Sequence, residues 1–192
     1  MIQMHHPAPT DPGRLAEPRE HDDLLNYRIK HLLRMGGAPA VQLCEGGYGV
    51  TRRQWRFVAA LVEGGAMSPS ALAERIELPR TVVSRTIIEL IGKGLIERRA
   101  EGRTSAAARP TRVAASAEGR RLYAELFPRL AAINRRLMEV LDAEEVVVLD
   151  RCLTKLTAQA RRILEEGAGV EVRADRRHGG SGKRWRELGH PR

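Results

Sequence analysis

The side chains of this chain best suited to chemistry are cations and hydroxyls gathered in one stretch. Arg80, Thr81, Ser84 and Arg85 recur at spacings that put them on the outer side of a helix, and Arg98, Arg103 and Arg109 follow close behind. From Pro79 to Arg112 there are eight Lys/Arg against three acids. Positive charge concentrated on the exposed side of a small element is the footprint of phosphate binding. An arginine such as Arg85 can also pair bidentately with a guanine edge in a major groove. Ser68 and Ser70, just upstream, belong to the same candidate DNA-binding set.

Other chemistry finds little support. No HExxH, GxSxG or phosphate-binding loop pattern occurs, so no catalytic residue is assigned and an enzyme is not expected. Of the six histidines only His31 lies well inside the folded part. His31 with Cys44 is too thin a set for a metal, and no cofactor is implied. Cys44 and Cys152 are far apart, outside any CxxC, which suits a reducing cytoplasm without disulfides. Cys44 could act as a redox sensor, but a lone cysteine is more often a small buried hydrophobe; Cys152, on an apolar helix face, is expected in the core. A formal net charge of +9 favours a polyanionic partner, and only 4% aromatic content argues against single-strand stacking platforms. No apolar run approaches a membrane span and no secretory leader is visible, so no membrane partner is expected.

The elements that would hold the basic residues can be read from turn and cap chemistry. Ser68 can cap a helix whose first turn tolerates Pro69, with Leu72, Ala73 and Ile76 on one face. Leu78-Pro79 breaks it. A second helix should run from near Pro79 to about Gly92, with Val83, Ile87, Leu90 and Ile91 inward and Gly94 stopping it. Two helices so joined make a helix-turn-helix unit. Leu95–Arg99 and Arg112–Ala115 then read as paired strands, with 100–111 as an exposed basic tip.

Around this unit, residues 1–20, with Pro7, Pro9, Pro12 and Pro18, read as a disordered leader. A helix should begin at Asp22, with Leu25, Ile29, Leu32 and Leu33 as its stripe, and be interrupted at Gly36-Gly37-Ala38-Pro39. A further turn or two can follow from Pro39 to Cys44. Thr51-Arg52-Arg53-Gln54 is a capping box opening a helix with Trp55, Val58, Ala59, Leu61 and Val62 inward. Ser116 should cap the longest helix, to about Leu141, with a seam of Leu122, Leu126, Leu130, Ile133 and Leu137 and a kink at Pro128. Asp142-Ala143-Glu144-Glu145 is a second capping box, before a helix carrying Leu149, Cys152, Leu153, Leu156 and Ile163. Residues 173–192, with seven Lys/Arg and two acids, read as a disordered basic tail.

The order and the residues together resemble the MarR family of transcriptional regulators. The likeness is carried by Ser68-Pro69-Ser70-Ala71-Leu72-Ala73-Glu74-Arg75, Thr81-Val82-Val83-Ser84-Arg85 and Lys93-Gly94-Leu95-Ile96-Glu97-Arg98. Thr51-Arg52-Arg53-Gln54-Trp55 and Ser116-Ala117-Glu118-Gly119-Arg120 look like the family's flanking helix starts. The resemblance implies a mainly α fold, a winged helix-turn-helix with a short β-hairpin wing and a helical dimerisation layer from both chain ends. The expected parts are a leader (1–20), N-terminal dimerisation helices (21–50), the winged DNA-binding domain (51–115), C-terminal dimerisation helices (116–166) and a basic tail (167–192). It implies a homodimeric, sequence-specific regulator, a repressor, on a pseudo-palindromic double-stranded operator, released by a small aromatic carboxylate or phenolic effector. By resemblance the effector site would include Tyr27, Arg28, His31 and Trp55. Where the family's wing carries Asp-Arg-Arg, this chain has Ala107-Ala108-Arg109 in a longer loop, leaving Arg109 and then Arg103 as tip candidates. The alternative from another class is a non-specific architectural DNA-binding protein without a ligand.

Overall fold

Side-chain oxygens start the helices at the points the sequence marks. The N–H of Gln54 donates to Thr51 Oγ1 (3.1 Å), and the Thr51 N–H donates back to Gln54 Oε1 (3.2 Å), opening α3 at Arg52–Gly64. Two of the donors orphaned at a helix start are thereby satisfied. Ser68 Oγ accepts from the Ala71 N–H (3.1 Å) and opens α4, Pro69–Arg75. The computed structural model describes residues 13–99, 112–167, 186, 187 and 189. The expected tip residues Arg103 and Arg109 lie outside them.

In chain order the described elements are α1 (Gly13–Ala16), a 3₁₀ turn (His21–Asp23), α2 (Leu25–Gln42), a π-helical turn (Leu43–Gly47), α3 and α4. They continue with α5 (Arg80–Gly92), β1 (Ile96–Arg99), β2 (Arg112–Ala115), α6 (Ala117–Met138) and α7 (Ala143–Glu165). β1 and β2 pair antiparallel, Arg98 opposite Val113 and Arg99 opposite Arg112, and Met67 adds a bridge to Val113. The chain divides into two compact units between Leu137 and Met138. No helix among the described residues is long and apolar enough to cross a membrane.

The core of the first unit is the winged helix. Phe57, Val58 and Leu61 of α3 meet Leu72 and Ile76, Val83, Ile87 and Leu90 of α5, Ile96 and Val113 of the hairpin, and Leu122 and Leu126 of α6. Each fully buried side chain of this size contributes roughly 1.5–3 kcal/mol over an exposed one. Gly119 fits α6 against the chain just after α5, because a Cβ there would collide with the Leu95 carbonyl oxygen. Ser116 ties the same corner, donating to the Gly94 carbonyl (2.6 Å) and accepting from the Gly119 N–H (3.0 Å).

Three local expectations differ from the structure. α2 does not stop at Gly36-Gly37-Ala38-Pro39 but continues through Pro39 to Gln42. The glycines serve close approach instead: a Cβ on Gly36 would come within 3.1 Å of Leu137, and one on Gly37 within 2.7 Å of the Arg52 guanidinium. Residues 13–20, within the expected leader, form α1 and a loop tied to Asp23. That carboxylate is buried and accepts from the Arg19 and Glu20 N–H groups (2.9 and 3.1 Å) and from Arg14 Nε (3.1 Å). The Arg19 N–H foremost, then that of Glu20 and the Arg14 side chain, hold its carboxyl below the usual carboxylate range. Helix α2 accordingly begins at Leu25 rather than at Asp22.

The third difference concerns the second unit. Asp142 and Glu145 form the reciprocal box (2.8 and 2.9 Å) and start α7. Yet none of its residues is buried, and Cys152 is exposed rather than in a core. Periodicity places Cys152 on an apolar face, and that face is open within the chain.

Candidate nucleic-acid interface

The turn between α4 and α5 is closed by backbone bonds from Ile76 to Leu72 (3.0 Å), Glu77 to Glu74 (3.2 Å) and Leu78 to Ala73 (3.1 Å). Glu77 takes the left-handed conformation, φ 51°, that glycine more often fills in such turns. Pro79 then leads into α5 with its fixed φ. The inward side of α5 is Val83, Thr86, Ile87 and Leu90. Helical periodicity therefore turns Arg80, Thr81, Ser84 and Arg85 outward, and all four are exposed. Ser68 and Ser70 are half-buried at the start of α4, and Arg98 is exposed on β1. Arg99, beside it, is engaged by Glu97 (2.9 Å).

A buried amide links this face to the rest of the domain. Gln54, 7% exposed, donates from Nε2 to Glu89 Oε2 (3.2 Å). Its Oε1 accepts from Lys93 Nζ (3.0 Å), which also donates to the Gly49 carbonyl (2.6 Å). Glu89 Oε1 in turn lies 3.4 Å from Arg85 Nε. The capping box of α3 is thus continuous with the ion pair on α5. These partners lie 35 to 44 residues apart in sequence, beyond what local pattern can reveal.

The four expected effector-site residues have different neighbours. Tyr27, Arg28 and His31 are exposed on α2, with the Tyr27 ring 3.6 Å from that of His21. Trp55, half-buried on α3, stacks on Tyr123 of α6 (5.4 Å, 16° between planes). Tyr123 stacks on Phe127 (5.3 Å, 10°), which is 48% exposed. The Tyr123 hydroxyl donates to Glu63 Oε1 (3.0 Å); burial first, then that carboxylate, push its pKa up. Tyr123 and Phe127 lie beside the seam residues Leu122 and Leu126 of the long helix, and the ring stack they make with Trp55 is not legible from the sequence. Cys44 is fully buried, and burial pushes its thiol above the ordinary range. A low-pKa, accessible thiolate is what redox sensing uses, and Cys44 has neither property.

A capped helix, a tight turn, a second helix with a cationic outer face and a two-stranded hairpin define a winged helix-turn-helix. Residues 48–105 match the family model of the MarR family. Over that stretch the chain is similar to the MarR family. Its fold is also that of solved MarR-type regulators. It is similar to MepR of S. aureus, solved in complex with DNA, at 17% identity and a TM-score of 0.64, over 73% of this chain and 99% of that one. A mutant MarR from E. coli with operator DNA aligns at 17% identity and a TM-score of 0.59, over 70% and 96%. NadR in complex with 4-hydroxyphenylacetate aligns at 21% identity and a TM-score of 0.57, over 71% and 94%. No curated protein matches the chain by sequence.

Proposed function

We propose that this chain is a sequence-specific, DNA-binding transcriptional repressor that works as a homodimer on a pseudo-palindromic operator in the cytoplasm. The observation that carries the reading is the outer face of α5, where Arg80, Thr81, Ser84 and Arg85 stand exposed over a fully packed inner face. Arginine and hydroxyl side chains there can reach guanine edges, while Ser68, Ser70 and Arg98, with Arg103 and Arg109, serve phosphates and the adjacent minor groove. The solved relatives in complex with DNA support this use of the face.

Two further parts complete the proposal. The apolar stripes of α2 and α7, including Ile29, Leu32, Leu33, Leu153 and Leu156, are each 40% exposed or more and need a cover, which a second copy supplies. A small aromatic carboxylate or phenol is the effector, held by the Trp55 ring and its stack with Tyr123, and by Tyr27, Arg28 and His31. The 4-hydroxyphenylacetate complex of NadR supports that ligand class. Two recognition helices must sit roughly 34 Å apart to enter successive major grooves. An effector that favours another spacing releases the DNA, with a coupling of about 5–150-fold.

Calorimetric titration of 4-hydroxyphenylacetate with and without a selected operator duplex tests the scheme. Effector affinity should fall in the presence of operator by the factor by which the effector weakens DNA binding. Sequence-indifferent DNA binding would instead favour an architectural role.

A further inference from the structure

Between Arg52 and Ala115, Ile88 is the single large apolar residue that stands exposed among the described residues, at 64%. It lies on α5, whereas most of the other exposed large apolar side chains lie on α2, α6 and α7. At about 100° per residue, Ile88 falls between Ser84 and Arg85 on the helix circumference and roughly 130° from the buried line of Val83, Ile87 and Leu90. Thr81, Ser84, Arg85 and Ile88 thus form one stripe with offsets of three, four and seven residues, about 10 Å long. An isoleucine that gains nothing from the core and is flanked by a cation and two hydroxyls is poorly suited to water. It is well suited to an apolar group presented inside a polyanion.

Double-stranded DNA presents one such group in its major groove, the C5-methyl of thymine. Resting on the proposed DNA-reading role of α5, we infer that Ile88 is a specificity-determining residue that packs against a thymine methyl in each half-site. Arg85 and Ser84 meet hydrogen-bonding edges, and Ile88, one turn further along, distinguishes thymine from cytosine by methyl contact. The site therefore reads a polar base and a methylated base on the same helix face.

The test uses the full chain and duplexes it selects from a randomised pool, with single dT→dU replacements that remove only the methyl group. One replacement in the half-site should weaken wild-type binding about three- to five-fold, the worth of one buried methyl. Ile88→Ala should bind the thymine duplex correspondingly less well and be indifferent to that same replacement. Because Ile88 is exposed, its melting temperature should match wild type, which separates lost contact from lost fold. Wild-type indifference to dU at every selected thymine, a selected half-site without thymine, or equal dU sensitivity in Ile88→Ala would each overturn the inference while leaving DNA reading intact. Selection that yields no preferred sequence would overturn the DNA-reading role itself, and this inference with it.

Discussion

Helices α5 and α7 both carry apolar residues at spacings of three and four, yet α5 buries Val83, Thr86, Ile87 and Leu90 whereas α7 buries none of its 23 residues. Their starts differ, since α7 is opened by a complete capping box whereas α5 follows Pro79 with no side-chain cap, yet it is α5 that is buried. The difference lies in what their apolar faces meet. The inner face of α5 meets α4, β1 and the rest of the domain core, a few tens of residues away in sequence. The stripe of α7 stands open within the chain, with Leu149 at 37% and Leu153 at 47% exposure. Amphipathic periodicity therefore states that a face is to be covered and leaves open what covers it.

The largest expected effect follows from the filled side of that comparison. Phe57→Ala, at a fully buried position, should cost about 3–5 kcal/mol in urea unfolding. The loss should be the same at every protein concentration, because the packing is within one chain. A cost under about 1 kcal/mol would mean the core relaxes far more than its density suggests.

The open side should respond differently. Leu153→Asp places a charge on the stripe of α7 without touching the winged helix core. In the proposed dimer, whose interface should total on the order of 2,000 Å², it should convert sedimentation at micromolar concentration from dimer to monomer. Unfolding should become independent of concentration. A Leu153→Asp chain that still sediments as the wild type does would show that α7 is not the seam.

The outer face of α5 comes next in size. Arg85→Ala should lose about 1–3 kcal/mol on a selected operator and much less on random duplex. Arg98→Ala, at an exposed position on β1 proposed to meet phosphate, should weaken both alike and reduce the salt slope by about one. Equal losses on both DNAs for Arg85→Ala would reassign it from base to phosphate.

The same contrast between near and distant partners explains how far the sequence could be read. Thr51, Ser68, Ser116 and Asp142 were legible as caps because their bonds close within three residues. The faces of α4 and α5 were legible because periodicity alone sets them. The path of α2 through Gly36 and Pro39 was not, since local pattern does not show that Gly36 and Gly37 lie against Leu137 and Arg52, far along the chain. Nor was the ordering of residues 14–20, which rests on the single carboxylate of Asp23 accepting from three groups. Within the candidate site, the exposed cations could be named from pattern. The Gln54–Glu89 and Trp55–Tyr123 pairings required the fold.

The smallest expected effect separates a cap that only starts a helix from one that also supports the reading face. Glu145→Ala and Gln54→Ala remove equivalent members of the two capping boxes. Each should cost stability, about 0.5–2 kcal/mol for a capping interaction, with Gln54→Ala at the upper end because its amide is buried among partners. Only Gln54 continues to Glu89, and through it to Arg85. An exposed ion pair of this spacing is worth about 0.3–0.5 kcal/mol, so loosening Glu89 can shift Arg85 only modestly. Gln54→Ala should therefore lower the ratio of operator to random-duplex affinity by about twofold, and Glu145→Ala should leave that ratio unchanged. Titration of both variants on both duplexes at one salt concentration reads the difference. A ratio unchanged in Gln54→Ala would reduce the Gln54 network to a brace for α3, with Arg85 positioned by α5 alone.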